Sequence, residues 1–198
     1  MIVTIAGTKG GGGKTTTAVC LALEALEQGE DVVLMDLDPQ GTATEWAPAI
    51  TKHLPAVRTP AELKATATGH SLAFVDTPPG AATQATIGIE AADIVVAVSG
   101  LGPGDMRGLQ HLLRMVDPDL IVPTRRDGRR ALHGYALEAL ATRWPSLITD
   151  AVPSSAAVER AQADQAALPI LSPPAIAYRT ILARVLELRD RKSSDGEA

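Results

Sequence analysis

Residues 7–17 read GTKGGGGKTTT, with four consecutive glycines between two lysines. This stretch restricts the possible folds more than any other. IVTIA, residues 2–6, stands before it: a continuous apolar run, as in a strand covered on both faces. TTTAVCLALEALEQ, residues 15–28, follows with helical periodicity and stops at Gly29. A glycine-rich turn from strand to helix exposes successive backbone N–H groups and aims a helix N-terminus at one point. Both favour a phosphate. Gly10, Gly11, Gly12 and Gly13 supply the turn, Lys14 a cation for the outer phosphates, Thr15 a hydroxyl for Mg²⁺ and Thr16 one for the innermost phosphate. The pattern GxxxxGK[ST] is met at Gly13, Lys14 and Thr15 and missed at its first glycine, where Thr8 stands. Two other readings compete. One is a flexible turn that binds nothing. The other is a dinucleotide loop, with Asp36 as the ribose-binding acid, but Thr16 stands where GxGxxG requires its third glycine.

The same alternation continues along the chain. Apolar runs at 31–36, 72–76, 93–99 and 119–123 read as strands, and 148–152 as a possible last one. Helical stretches lie near 83–91, 105–116, 129–143, 154–164 and 175–190. Strand–helix repetition predicts an α/β fold: a doubly wound, mostly parallel sheet with helices on both faces. Ligands of such sheets sit beyond the carboxyl ends of the strands, so segments 7–14, 37–44, 77–82 and 100–104 share one rim. The expected organisation is a single domain over 1–190. The polar tail from Arg189 reads as lying outside the packed unit, with 191–198 as a disordered tail.

Composition excludes several classes. With 198 residues, 45% of them hydrophobic, one sizeable core is affordable, and with aromatics at 3% it is built from Ala, Val, Leu and Ile. A net charge of -5 argues against a protein coated in basic charge for constitutive nucleic-acid binding, though not against a local basic patch. Cys20 is the only cysteine, which leaves no disulfide framework and no CxxC pair, and its apolar helical surroundings read as a buried thiol. Neither a signal peptide nor an apolar run of the ~20 residues that span a membrane is present, so the expected setting is the cytoplasm, with no membrane partner.

KGGGGKTT, residues 9–16, resembles the deviant Walker A motif of the ParA/MinD group of P-loop ATPases. The resemblance implies ATP and Mg²⁺ as cofactors and makes Lys9 the group's signature lysine, which reaches the phosphates of a partner subunit's ATP. DLDPQG, residues 36–41, resembles switch I of the group, with Asp38 positioning the attacking water and Asp36 near the metal. DTPPG, residues 76–80, resembles its switch II, with Asp76 holding Mg²⁺ through water. Residues 152–171 resemble the segment whose proline packs beside the adenine. Pro153 matches, while Ser154 and Ser155 replace the Arg and Asn often found there. The resemblance covers about residues 1–190 and lies nearest the small plasmid-type ParA proteins.

Absences narrow the choice within the group. The tail lacks an amphipathic membrane helix, Cys20 cannot hold an iron–sulfur cluster, and Tyr135 and Tyr178 form no tyrosine cluster. The resemblance then implies an ATPase for plasmid or chromosome partition. It would form an ATP-dependent homodimer, bind non-specific DNA on the nucleoid, and be released when a ParB-like or other cargo adaptor stimulates hydrolysis. TRRDGRR, residues 124–130, offers Arg125, Arg126, Arg129 and Arg130 for DNA, and dimerisation would double any such patch. A solvated loop, or a nucleotide contact from one of these arginines, is the competing reading. Two alternatives remain: the same switch carrying a non-DNA cargo, and an ATP-dependent metabolic ligase of the dethiobiotin-synthetase type.

Overall fold

A computed structural model describes residues 1–58, 62–80 and 82–195. Six parallel strands form one sheet in the order β3-β2-β4-β1-β5-β6. They are β1 (Ile2–Ala6), β2 (Val32–Asp36), β3 (Ala56–Arg58), β4 (Leu72–Asp76), β5 (Ile94–Gly100) and β6 (Leu120–Thr124). Every residue of β1, β2, β4, β5 and β6 is buried, which is why their sequences run apolar without alternation. Alternate side chains serve opposite faces. Val3, Ile5, Leu34 and Phe74 pack under helices α1 (Lys14–Glu27), α2 (Thr42–Ile50), α7 (Ala156–Ala163) and α8 (Pro173–Asp195). Ile2, Val33, Met35 and Val75 meet Leu63 and Ala67 of α3 (Leu63–Ala67). Ala97 and Ile121 meet Leu109 and Leu112 of α5 (Pro103–Leu112) and Leu140 of α6 (Ala131–Arg143). Helix α4 (Thr83–Ala91) comes close to β1 through Gly88, whose carbonyl accepts from Thr4 Oγ1 at 2.7 Å.

The chain leaves β1 toward one side of the sheet and later crosses back to β5 on the other. The loop after β1 therefore lies at the switch point, where the carboxyl ends of two neighbouring strands diverge. The expected doubly wound α/β sheet is present.

Three differences from the sequence reading have physical causes. First, the sequence reading has no α2, α3 or β3: α2 contains Pro48, α3 is only five residues long, and β3 is a three-residue edge strand. Second, 148–152 is not a regular strand. It runs beside β6 with isolated bridges only, at Ile121–Ile148 and Arg126–Pro153. Ile121 N donates to Leu147 O, but Pro123, two residues on, has no N–H to continue that ladder. Third, the tail expected to be disordered from residue 191 is helical to Asp195, as part of α8. Ile181, Leu182 and Val185 bury one face of that helix. Arg189 pairs with Glu30 at 2.8 Å and Lys192 with Asp119 at 2.7 Å, which ties its end to the bottom of the sheet. Residues 196–198 lie outside the described residues, as does Ala81 of the 77–82 segment.

These ion pairs are partly exposed, so each is worth little by itself. Replacing Arg189 and Lys192 together by Ala lowers the stability by about 1 kcal/mol in urea unfolding, and by less in concentrated salt. A midpoint unchanged in low salt shows that the end of α8 contributes nothing.

Candidate functional site

The glycine loop bends as its sequence requires. Gly11 and Gly13 have φ of 69° and 94°, a region that side-chain-bearing residues avoid. A Cβ on Gly13 would come within 3.3 Å of Thr124 Cγ2, so glycine also permits the loop to lie against β6. Thr124 Oγ1 donates to Gly12 O at 2.7 Å and fixes that contact. No side chain caps α1 and its first turn carries no acid, so its N–H groups remain available to an anion. Gly10 to Gly13, Lys14, Thr15 and Thr16 line a cavity of about 340 Å³, with Asp38 and Pro153 on its other walls. The structure thus brings most of the expected nucleotide residues into one place.

Lys14 is only 5% exposed. Burial pulls its ammonium pKa down, while the charges of Asp76 and Asp38 pull it up. Its Nζ donates to Lys9 O at 3.3 Å, and among the described residues no carboxylate bonds to it. Asp36 and Asp76 are in register on adjacent strands, both fully buried. They differ in what their oxygens do. Asp36 Oδ1 accepts from Asp38 N at 3.0 Å, and Oδ2 accepts from Thr44 N at 3.1 Å, so this carboxylate holds the 37–44 loop in shape. Both Asp76 oxygens have no hydrogen-bond partner among the described residues. Burial above all pushes the Asp76 carboxyl up to about 7, and neighbouring Thr15 and Lys14 offset this in part. A buried, unsatisfied carboxylate beside a buried lysine and a threonine hydroxyl fits a hydrated cation bridging to phosphate. Among the described residues no three acidic, imidazole or thiol side chains converge to hold a metal alone, so phosphate and water would complete its shell. The Asp76 carboxylate thus stands unbonded among the described residues beside Thr15 and Lys14, whereas Asp36 shapes the 37–44 loop.

Asp38 lines the cavity through a loop fixed at several points. Gln40 N donates to Asp38 Oδ1 at 3.0 Å, and Gly41 N to Asp38 O at 2.9 Å. Arg58 of β3 reaches back to Pro39 O, and its guanidinium fills the space beside Gly41, where φ is 72°.

The two lysines of the loop occupy different environments. Lys9 does not line the cavity; its side chain is 61% exposed and sits 3.4 Å from Asp105 Oδ1. Of the four arginines expected to face DNA, Arg125 instead lines the cavity and pairs with Asp105 at 3.2 Å. Arg129 and Arg130 share Asp127, at 3.0 and 3.8 Å. Arg126 is exposed, with no side-chain partner among the described residues. The expected basic run is therefore divided between two carboxylates and partly neutralised.

Pro153 reaches the cavity because 152–154 runs beside 124–126: Arg126 N donates to Val152 O at 3.0 Å and Ser154 N to Arg126 O at 2.8 Å. Ser155 accepts from Ala157 N and caps α7. That helix contributes Gln162, whose Nε2 donates to Thr16 Oγ1 at 2.6 Å. Sequence reasoning missed Gln162, Thr124 and Tyr178 as cavity residues. Each lies in an ordinary helix or strand pattern, and only the packing shows which face meets the loop.

The family profile described as CobQ/CobB/MinD/ParA nucleotide binding domain matches residues 3–168. The maintenance of carboxysome distribution protein A of Gloeobacter kilaueensis is 38% identical over 153 residues, 71% of this chain and 69% of that protein. Protein ParA of Rhizobium radiobacter is 46% identical over only 48 residues, 24% of this chain and 22% of that protein. A putative plasmid partition protein from Borrelia burgdorferi, solved with AMPPNP, superposes with a TM-score of 0.77 at 18% identity, covering 94% of this chain and 98% of that one. No described helix is long and apolar enough to cross a membrane. The chain belongs to the CobQ/CobB/MinD/ParA family of nucleotide-binding domains, as a P-loop ATPase of the ParA/MinD group.

Proposed function

We propose that this chain is an ATP-driven positioning switch. Two subunits pair around two ATP molecules, ride on non-specific DNA, and separate when an adaptor on the cargo stimulates hydrolysis. One observation carries the pairing: Lys14 is buried against its own cavity, while Lys9, from the same loop, stands exposed at the rim and lines no part of it. A cation so placed serves phosphates that arrive with a second subunit. Within each subunit the loop N–H groups and Lys14 bind phosphate, Thr15 and Asp76 hold Mg²⁺, which supplies charge neutralisation there, and Asp38 orients water. Lys9, Lys14 and Asp38 are the catalytic set. Pro153 packs beside the base, with Ser154 and Gln162 nearby.

The relative that aligns along most of the chain is a carboxysome distribution protein, which favours a large protein assembly as cargo. Plasmid partition with a ParB-like adaptor is the second reading, and the short ParA match supports it. In both, the protein works in the cytoplasm, on the nucleoid while loaded with ATP. The exposed Arg126, together with whatever share of Arg129 and Arg130 escapes Asp127, supplies the DNA contacts.

Fluorescence anisotropy of a labelled random-sequence duplex tests the reading. Binding is expected with ATP–Mg²⁺, weakening steeply with salt, and absent with ADP–Mg²⁺. Absence of binding in both states favours the ATP-dependent ligase. Lys9→Ala keeps ATP affinity in calorimetry and loses the ATP-dependent dimer in sedimentation. Asp38→Ala lowers hydrolysis about 100-fold or more with the dimer retained; normal turnover reassigns the carboxylate that handles water. A fourth outcome concerns pH. The folded Asp76 carboxyl titrates at about 7 against an ordinary 3.8, so the folded state holds a proton that the unfolded state lacks between those values. Its stabilising contribution is complete below about pH 4 and lost as pH rises through about 7. Asp76→Asn therefore raises the stability of the magnesium-free protein at pH 8, by on the order of 1–4 kcal/mol. It also flattens the pH dependence of unfolding and removes stabilisation by ATP–Mg²⁺. Equal stability of the two proteins across that range contradicts the assignment.

A further inference from the structure

Asp105 stands in the first turn of α5, outside the cavity, and touches both cations of the rim. Lys9 Nζ lies 3.4 Å from its Oδ1, and Arg125 Nη2 lies 3.2 Å from its Oδ2. The carboxylate is only 14% exposed, whereas Lys9 and Arg125 are 61% and 49% exposed. The acid is thus fixed and the cations are on its outer side. Oδ1 is buried and receives no hydrogen bond from the described residues, so the charge of Lys9 is the main compensation on that side.

The surroundings are shaped for this arrangement. A Cβ on Gly100 would strike Arg125 Nη2, and would lie 2.6 Å from Asp105 Oδ2. On Gly102 it would lie 3.1 Å from Asp105 Oδ2, and on Gly104 it would lie 3.3 Å from Lys9 Nζ. GLGPG, residues 100–104, thus leaves room for all three charged groups. Arg125 also takes a left-handed backbone, φ 54°, an uncommon conformation for a residue other than glycine. It is held there by the Arg126 N to Val152 O bond.

We infer that Asp105, braced by Arg125, is a latch that keeps Lys9 on its own subunit and so opposes the pairing of two ATP-loaded copies. The inference rests on the proposed crossing of Lys9 to a partner's phosphates. One ammonium cannot sit against Asp105 and against a phosphate across the interface at once. Any contact present in the single subunit and broken in the pair shifts the equilibrium toward the single subunit. Asp105 is a positioning residue: it lies outside the cavity lining and acts through Lys9.

The test compares wild type, Asp105→Asn and Lys9→Ala by sedimentation velocity over a protein dilution series with ATPγS–Mg²⁺. Monomer ATP affinity is measured alongside. Asp105→Asn keeps the side-chain shape and removes the charge. It is expected to dimerise at roughly two- to twentyfold lower protein concentration, since two half-exposed ion pairs open per dimer. Its monomer ATP affinity stays at the wild-type value, and its dimer stays absent with ADP. A dimer of unchanged or weaker affinity in Asp105→Asn overturns the latch. Loss of ATP binding by that monomer makes Asp105 a strut of the fold and overturns it too. Lys9→Ala separates the two claims. If it still dimerises as wild type does, the crossing lysine fails; if it stays monomeric while Asp105→Asn is unchanged, only the latch fails.

Discussion

The structure depends on an unfinished electrostatic arrangement at the tips of β1, β2 and β4. Lys14 and Asp76 are both buried there, and neither is bonded to the other. Burying charge without hydrogen bonds costs several kcal/mol per group in a packed interior. A phosphate for the lysine and a hydrated cation for the carboxylate would offset that cost. The parallel sheet supplies the burial: each tip is covered by helices on two faces and by the loop of the next unit. An antiparallel sheet with one wet face would leave these groups solvated and their chemistry ordinary.

The same loop is tied to distant parts of the chain. Thr124 of β6 bonds Gly12, Gln162 of α7 bonds Thr16, and Tyr178 of α8 meets Thr17 at 3.3 Å. Trp46 of α2 donates to Ala166 O just after α7, linking the helix that follows Asp38 to the segment beyond α7. The loop and these helices are thus joined by short polar contacts between packed elements. This is the kind of connection through which occupancy of a cavity reaches a surface. It also bears on the uneven placement of the charges: the groups turned inward are fixed by several elements, while Lys9 and Arg125 at the rim both pair with Asp105.

Much of this was legible in the sequence. Strands buried on both faces announce themselves as unbroken apolar runs, and a glycine loop between strand and helix followed by Lys-Thr has few other uses. The positions of Lys14, Thr15, Asp38 and Pro153 around one cavity follow from strand order and local motif. Less legible were the ends and edges. β3 is too short to carry a pattern. The 148–152 segment looks like a strand but is interrupted because Pro123 beside it lacks a donor. The polar end of α8 reads as disorder, because its order comes from Glu30 and Asp119, more than 70 residues away in sequence.

The sequence by itself determined the fold class, the phosphate-binding loop and the membership of the family, because these depend on local periodicity, glycine conformations and residue spacing. Only the tertiary structure decided how like residues divide their work. Asp36 and Asp76 both end apolar strands, yet one accepts from loop N–H groups and the other has no hydrogen-bond partner among the described residues. Lys9 and Lys14 flank the same glycines, yet one is buried and the other meets Asp105 in the open. The four arginines of TRRDGRR look like one basic patch, yet Arg125 pairs with Asp105, Arg129 and Arg130 pair with Asp127, and Arg126 stays exposed. Some of these partners are local, as Asp127 is for Arg129 and Arg130, but the burial of Lys14 and Asp76 and the reach of Asp105 to Lys9 and Arg125 are not written in local spacing.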